Sequence, residues 1–244
     1  MRILLPPSET KLKGGAPHSG RFTLSFPSQD AGRLDLLVPL EILSRDNPEL
    51  AVKVLGLGPK SAAEVANNLF TDAPVMPAID RYTGVLYSAT EKDSWSEMQR
   101  AWAEQHVFIH SALFGVISSA DEIPAYRLSH DTKVLDLPLA SYWGSQVSAA
   151  IAEMAVGDWV LDARSEGYRS LAPIPDGVRS SHLEVVSANG GKALNHFNKI
   201  HKGGLVAALV RYMPVIDSPE AFVAWAAGVG IVARLDDDSV TLVV

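Results

Sequence analysis

The 244-residue sequence contains no cysteine, which excludes disulfide bonds, thiolate metal ligands and cysteine nucleophiles. A chain without cysteine fits a reducing compartment. Its apolar runs are shorter than the ~18 residues that a membrane-spanning helix needs. Met1–Leu5 leads directly into two prolines and is too short for a secretory signal peptide. We therefore expect a cytoplasmic protein with no membrane partner.

Several catalytic signatures are also missing. The sequence has no G-x-S-x-G elbow, no H-E-x-x-H metal motif and no kinase signature. His106 and His110 lie on one face of a predicted strand, without the spacing or the third ligand that a zinc site needs. We expect no metal ion and no cofactor.

Acidic residues are absent from two stretches, although the whole chain carries a net charge of −7. Residues 10–29 and 185–216 contain basic side chains but no Asp or Glu. A local basic surface attracts anions even on an acidic protein. If the two stretches meet in space, we expect one positively charged cleft. The basic residues concerned are Lys11, Lys13, Arg21, Lys192, Lys199, Lys202 and Arg211.

Hydrophobic residues make up 47% of the chain and charged residues 20%, as in ordinary globular proteins. We predict a mixed α/β (α+β) fold, a single compact domain over residues 1–244 with a central mixed sheet. Apolar and β-branched segments predict strands at 2–5, 107–110, 159–163 and 183–186, and a terminal hairpin turned at 236–238. Helical patterns predict helices at 33–44, 94–106, 141–156 and 218–227.

The segment Leu-Gly-Leu-Gly-Pro-Lys-Ser-Ala combines a tight turn with a helix start. Gly56 and Gly58 allow positive φ and a close approach of the backbone, and Pro59 suits a first helical position. With helices on both sides, residues 48–69 resemble the helix-hairpin-helix element of DNA-repair proteins, whose turn amides hold a phosphate. A plain turn between packed helices is the alternative. Pro59 breaks P-loop spacing, and Ser61 replaces the third glycine of a dinucleotide fingerprint.

Polar side chains follow two of the predicted strands. Ser8 and Lys11 come after the first strand, and Ser165 follows the strand at 159–163. Because functional groups gather at strand ends in α/β proteins, we expect these segments to face each other across one cleft. Arg127, between apolar neighbours, predicts either a half-buried salt bridge or a contact to an anionic ligand.

The segment 194–205 is rich in histidine, asparagine and lysine, and it includes Lys199 and Lys202. Glycine costs about 1 kcal/mol in mid-helix relative to alanine. The neighbouring Gly203 and Gly204 therefore predict a helix start or a turn near this point.

Taken together, these segments resemble the peroxide stress protein family YaaA over nearly the whole length. The resemblance implies a cytoplasmic protein linked to hydroperoxide resistance and lowered free iron. It also implies DNA binding and a mixed α/β fold with a helix-hairpin-helix element beside a positive cleft. This sequence departs from the family at Gly204, where relatives tend to carry a basic residue. The matching blocks are LLPPSETK at 4–11, RYTGVLY at 81–87, 111–128 ending in PAYRL, YWG at 142–144, SEGY at 165–168, HFNK at 196–199, Lys202-Gly203 and GVG at 228–230.

The leading hypothesis is an oxidative-stress protein that binds DNA without sequence preference and limits peroxide and iron damage. Tyr142 or Trp143 would stack on an unpaired base, with core packing as the alternative for both. Direct peroxide chemistry is not expected, since no thiol can form a sulfenate. The residues predicted to bind phosphates are Gly56, Gly58, Lys60, Lys11, Lys199 and Lys202.

The alternative is an enzyme acting on a small anionic metabolite or nucleotide in the same cleft. Residues 45–64, around the glycine turn, carry three basic and three acidic side chains. This local neutrality, together with Gly204, favours a small ligand over a long polyanion. Whether a reaction is catalysed stays open at this point. The candidate catalytic residues are Ser8, Lys11, Arg127, Ser165 and Lys199.

Overall fold

The computed structural model describes residues 1–134, 137–188, 195–237 and 239–244. Two residues that carried sequence-based expectations fall outside these ranges. They are Lys192 of the second basic stretch and Asp238 of the terminal turn.

The strands are short, as expected for a sheet whose elements are separated by helices. In chain order they are β1 (Arg2–Leu5), β2 (Val75–Pro77), β3 (Val107–Ser111), β4 (Gly115–Ser118), β5 (Glu122–Pro124), β6 (Lys133–Val134), β7 (Leu137–Pro138), β8 (Val160–Asp162), β9 (Ser180–Val186), β10 (Ala233–Asp236) and β11 (Ser239–Val243).

The helices lie between these strands. The α-helices are α1 (Asp30–Asp46), α2 (Pro48–Val54), α3 (Ala78–Arg81), α4 (Val85–Ser88), α5 (Glu97–His106), α6 (Leu139–Met154), α7 (Glu166–Leu171), α8 (Asn195–Tyr212) and α9 (Pro219–Gly228). Short 3-10 helices span Pro27–Gln29, Ala62–Asn68 and Lys92–Ser94.

Seven strands form the central sheet in the order β10-β11-β9-β8-β1-β3-β4. β1 pairs in parallel with β3 on one side and with β8 on the other. The chain thus builds outward from β1 to β3 and later returns to place β8 on the opposite side. At such a reversal the connections leave in opposite directions, which opens a crevice beyond the carboxyl ends of the strands. We call the crevice between β1 and β8 the switch-point crevice.

The middle strands carry the core. Ile3, Leu4 and Leu5 of β1 are at most 1% exposed, as expected for a parallel strand covered on both faces. β4 and β10 pair antiparallel to their neighbours, so the sheet is mixed. The predicted mixed α/β fold with a central mixed sheet is confirmed, and a single compact domain fits it. The domain bounds at 1–244 stay a prediction.

Local sequence signals placed several elements correctly. The Ser218 hydroxyl accepts a hydrogen bond from the amide of Ala221 at 3.2 Å and so caps α9, which begins at Pro219. Ser96 and Gln99 form a capping box at the start of α5. These signals involve residues three apart and depend little on the rest of the fold.

The expectation of a helix start or turn near Gly203 is wrong. Helix α8 continues from Asn195 to Tyr212 through both glycines. A Cβ at Gly203 would clash with the backbone carbonyl oxygen of Leu86 in α4. Gly203 is therefore present because α8 packs closely against α4. A glycine that suggested a helix break in the sequence instead allows this close helix contact.

Candidate anion-binding site

The switch-point crevice contains a pocket of about 290 Å³. Pro6 comes from the end of β1, and Ala163 to Ser165 come from the end of β8. Lys199 and Lys202 reach it from α8, while Arg169 reaches it from α7. Residues far apart in sequence thus meet where the topology of the sheet predicts a ligand site.

Four cationic side chains line this pocket, Arg164, Arg169, Lys199 and Lys202, together with the carboxylates of Glu166 and Glu184. Lys202 is 6% exposed, and its ammonium donates a 3.0 Å hydrogen bond to the Ala163 carbonyl. Burial lowers the pKa of Lys202 to about 8, while the nearby Asp162 raises it. Lys199 is exposed, and Arg169 makes a 3.2 Å surface ion pair with Glu166. The positive charge is partly desolvated, which strengthens its attraction for an anion.

A buried ion pair forms one wall of the pocket. Arg164 and Asp162 are joined by two 2.9 Å hydrogen bonds, from Nε to Oδ1 and from Nη2 to Oδ2. Arg164 also donates to the Ala172 carbonyl at 2.8 Å and to His110 Nδ1 at 3.0 Å. These bonds satisfy the guanidinium and fix the loop after β8.

Two histidines beside this wall are held neutral. His110 is fully buried, and burial lowers its pKa well below the usual value. His110 Nε2 makes no hydrogen bond within the described part of the chain. His182 Nδ1 donates to the Asp162 carbonyl at 2.9 Å, which leaves Nε2 as a proton acceptor. Burial, followed by the charge of Lys202, lowers the pKa of His182.

A second cluster lies beside the loop that follows β1. Lys11 Nζ donates a 2.9 Å hydrogen bond to the Ser8 carbonyl and lies 3.9 Å from the ring centroid of Tyr126. The Tyr126 hydroxyl bonds to those of Tyr82 at 2.8 Å and Ser111 at 2.9 Å. Burial lowers the pKa of Lys11 to about 7 and raises that of Tyr82 to about 12.

The family model for peroxide stress protein YaaA matches residues 1–226 of this chain. The chain belongs to this family. A UPF0246 protein of Corynebacterium glutamicum is 37% identical and is aligned over the full length of both chains. A UPF0246 protein of Streptomyces coelicolor is 36% identical over 86% of this chain and 83% of its own. An uncharacterized protein of Campylobacter jejuni is 22% identical over 85% of this chain and 83% of its own.

In this YaaA-family protein, the five candidate catalytic residues fall into two groups. Ser165 and Lys199 line the pocket in the switch-point crevice. Ser8, Lys11 and Arg127 lie at the loop after β1, where the hydrogen bond from Lys11 to Ser8 joins two of them. Pro6, at the start of that loop, lines the pocket and links the two groups along the chain.

Arg127 forms a half-buried salt bridge, the first of its two predicted roles. Its guanidinium lies 2.5 Å from a Glu9 carboxylate oxygen and 3.6 Å from one of Glu64. Its side chain is 19% exposed. Through Arg127, Glu9 of the loop after β1 and Glu64 of the 3-10 helix Ala62–Asn68 are connected. The two carboxylates neutralise the guanidinium charge that an anionic ligand would need.

The turn of residues 55–61 differs from the predicted phosphate cradle. The amide of Gly56 donates to the Lys53 carbonyl at 3.1 Å, and that of Leu57 donates to Val52 at 2.9 Å. This is a Schellman cap on α2, with Gly56 at a φ of 62°. The amide of Gly56 is therefore used by the chain's own backbone, which corrects its assignment as a phosphate donor.

The rest of this turn leaves two amides exposed. Gly58 and Lys60 are exposed, and their amides donate no hydrogen bond to any described residue. The helix expected after the turn is present as a 3-10 helix, Ala62–Asn68. Of the predicted phosphate-binding set in this turn, the Gly58 amide and the Lys60 side chain therefore stay exposed, and the amide of Lys60 is a further free donor.

Trp143 does not form a stacking platform. Its side chain is 0% exposed, and Nε1 donates to the Ala112 carbonyl at 2.8 Å. The core alternative is correct for this residue, because α6 packs its apolar face on the sheet. Tyr142 is half-buried and packs against the same core.

Sequence reasoning missed several residues of the site. Arg164 lay between the predicted strand and Ser165, and its position after a strand end was a usable signal. His182 and Tyr126 gave no such signal, since His182 lies within a strand and Tyr126 lies in a loop two residues after Pro124. Their roles depend on contacts between distant segments.

The described residues contain neither a metal-binding cluster nor a membrane span. No group of three or more His, Asp or Glu side chains there could hold a metal ion. In the same residues, no helix combines the length and apolar character needed to cross a membrane.

Proposed function

We propose that this protein takes part in the response to peroxide stress by binding a small phosphate-bearing ligand, a single nucleotide or similar metabolite, in the switch-point crevice. The observation that carries this proposal is the position of Arg169, Lys199 and Lys202 around the crevice beyond β1 and β8. The family assignment supports the stress-related part.

The pocket has the mixed lining that a nucleotide needs. Leu86 and Val185 lie in the same pocket as the cations, so apolar surface is present beside the charge. Ligand pockets typically measure ~300–1,000 Å³, and this one is at the small end. Its size and partial desolvation favour one nucleotide over a long duplex.

The test is calorimetric titration with adenosine 5′-monophosphate and, separately, with inorganic phosphate. Lys202→Met removes a buried charge-assisted donor, and such a bond contributes about 1.5–3 kcal/mol, so we expect affinity to fall about tenfold or more. Lys199→Ala, at an exposed position, should weaken binding by a smaller factor.

Lys53→Met is the matched control, because Lys53 is exposed on α2 and is not among the residues that line the pocket. It should bind the monophosphate as the wild type does. Equal affinity in all variants, or no binding of either probe, would contradict the proposal.

DNA is the second candidate ligand, favoured by the free amides of Gly58 and Lys60 on an exposed turn. In this candidate the turn holds one phosphate of a strand while the crevice takes a nucleotide of that strand. Binding would tolerate any sequence and fall steeply with salt, because released counterions drive it.

Anisotropy of a labelled single-stranded oligonucleotide at several salt concentrations tests this candidate. Lys60→Ala should weaken binding and reduce the salt slope by about one, whereas Lys53→Ala, on the same segment, should change both less. Binding that is indifferent to salt would count against DNA as the ligand.

The proposal places the protein in the cytoplasm, where it would limit peroxide and iron damage through the molecule that it binds. A deletion strain should lose hydroperoxide resistance and show raised free iron. Complementation with the wild type should restore both properties, and complementation with Lys202→Met should not. Full restoration by that variant would show that the phenotype does not depend on the pocket.

A further inference from the structure

A second, larger cavity adjoins the pocket in the switch-point crevice. This adjoining cavity measures about 810 Å³, and it shares part of its lining with the pocket. The shared residues are Arg164, Glu166, Arg169, His182 and Glu184. A ligand whose phosphate lies in the pocket therefore has room to extend into the adjoining cavity.

Strand β9 presents polar side chains to the adjoining cavity. Ser180, His182 and Glu184 line it, whereas Leu183 and Val185, which alternate with them, are buried in the core. β9 pairs in parallel with β8 on one side and with β11 on the other. A parallel strand in such a position is usually apolar on both faces. The polar face of β9 therefore departs from ordinary sheet packing and suits a cavity that holds a polar ligand.

His182 and Glu184 supply two hydrogen-bond acceptors where the two cavities meet. His182 Nδ1 donates to the Asp162 carbonyl at 2.9 Å, so the Nε2 atom carries a lone pair. Burial, followed by the charge of Lys202, lowers the pKa of His182, which keeps this ring neutral at neutral pH. Glu184 forms no ion pair with another described residue. Alternate residues of a strand lie on one face about 6.6 Å apart, so both acceptors can reach one ligand.

The carboxylate of Glu184 indicates that the pocket serves more than a phosphate. Glu184 lines the same pocket as Lys199 and Lys202. Burial lowers the pKa of Lys202 to about 8, and the charge of Glu184 is among those that oppose this effect. A carboxylate repels a nearby phosphate, but it accepts hydrogen bonds from hydroxyl groups. The ligand that matches this lining carries an anion at one end and hydroxyl donors beside it.

We propose that the ligand of the switch-point crevice is a phosphorylated ribose, recognised through the two vicinal hydroxyl groups of its sugar. One hydroxyl donates to the Glu184 carboxylate and the other to His182 Nε2. An acidic side chain holds the ribose hydroxyls in the same way in dinucleotide-binding folds. This inference rests on the proposed function for the position of the phosphate. A ribonucleotide, whose base extends into the adjoining cavity, or a free ribose phosphate is therefore preferred to a deoxyribonucleotide.

The test is calorimetric titration with adenosine 5′-monophosphate, its 2′-deoxy and 3′-deoxy forms, ribose 5-phosphate and inorganic phosphate. Each deoxy form lacks one hydrogen bond and should bind about fivefold or more weakly than the parent. Glu184→Met should abolish the discrimination against one deoxy form, and His182→Leu that against the other. Glu184→Met should bind inorganic phosphate as well as the wild type or better, because a repulsive charge is removed. Glu153→Met is the matched control, since Glu153 is exposed and lines neither cavity, and it should discriminate as the wild type does.

Each outcome decides a separate point. Equal affinity of the wild type for the parent nucleotide and both deoxy forms would overturn the ribose assignment and leave the phosphate site standing. Discrimination that survives in both variants would overturn the assignment to Glu184 and His182. Should a variant also lose inorganic phosphate, the deoxy forms on the wild type decide alone. Failure of every probe to bind would contradict the proposed function itself. Ribose 5-phosphate, compared with adenosine 5′-monophosphate, identifies whether a free sugar phosphate or a nucleotide is preferred.

Discussion

Gly203 and Gly204 are adjacent in α8 but face different surroundings. A Cβ at Gly203 would meet the Leu86 carbonyl oxygen at 2.1 Å, whereas at Gly204 nothing lies within 4 Å. One glycine therefore permits a helix contact, and the other only lowers helix propensity.

These two glycines give opposite predictions at the scale of single residues. Gly203→Ala should destabilise the protein by about 1–3 kcal/mol through overpacking. Gly204→Ala should stabilise it by about 0.5–1 kcal/mol, because alanine favours a helix interior. Urea unfolding of both variants measures the difference. Equal effects of the same sign would contradict the packing of α8 on α4.

The ion pair of Arg164 and Asp162 gives a second prediction at this scale. Arg164→Met leaves a buried carboxylate without its partner and should cost about 3–5 kcal/mol. Arg169→Met, which breaks an ion pair at the surface, should cost at most about 1 kcal/mol. Thermal or urea unfolding compares them, and a small loss in Arg164→Met would show that water solvates Asp162.

At the scale of elements, the two glycines of the 48–69 segment have different tasks. Gly56 has a φ of 62° and ends α2 through the Schellman cap. Gly58 lies outside the left-handed region, and a Cβ at this position would have no neighbouring atom within 4 Å. In this turn, which resembles a phosphate-binding turn by its glycine spacing, Gly56 is therefore required by the end of α2.

Gly56→Ala should destabilise the protein by about 1 kcal/mol, the approximate cost of a left-handed conformation for a residue with a Cβ. Gly58→Ala should change the free energy of unfolding by less than about 0.5 kcal/mol. Urea unfolding of the pair checks this. If Gly58→Ala were the more destabilising variant, the cap would be assigned to the wrong glycine.

At the scale of the whole molecule, two lysines link stability to pH. The pKa of Lys11 is lowered to about 7 and that of Lys202 to about 8. Between these values and the ordinary lysine pKa, the unfolded chain binds more protons than the folded one. The free energy of unfolding therefore rises with pH in this window.

From pH 7 to pH 9 we expect each lysine to add ~1–2 kcal/mol to stability. Lys11→Met should flatten this rise, whereas Lys13→Met, at an exposed position, should not. Urea unfolding at several pH values provides the measurement. Above pH 10 the trend should reverse, since burial keeps Tyr82 protonated in the folded state up to a pKa of about 12. A wild-type stability that is flat from pH 7 to 9 would contradict the burial of both amines.

Features that depend on interactions between near neighbours in the chain were predictable from the sequence, whereas features that depend on contacts between distant segments were not. The strand at 107–110 and the helix that begins after Ser218 were predictable, because an apolar run and a helix cap involve near neighbours in the chain. The polar groups after β1 and β8 were predictable for the same reason. The sequence blocks also indicated the family whose model matches residues 1–226.

The sequence by itself determined the main strands, the start of α9 at Pro219, the polar strand ends and the family. Only the tertiary structure decided that Arg127 pairs with Glu9, 118 residues away, and that Trp143 is core. It also decided that Gly203 packs against Leu86 and that Lys202 and Ser165 share one pocket. The physical reason is that burial and ion pairing depend on which distant segments the sheet order brings together, and that order is set by the packing of the whole chain.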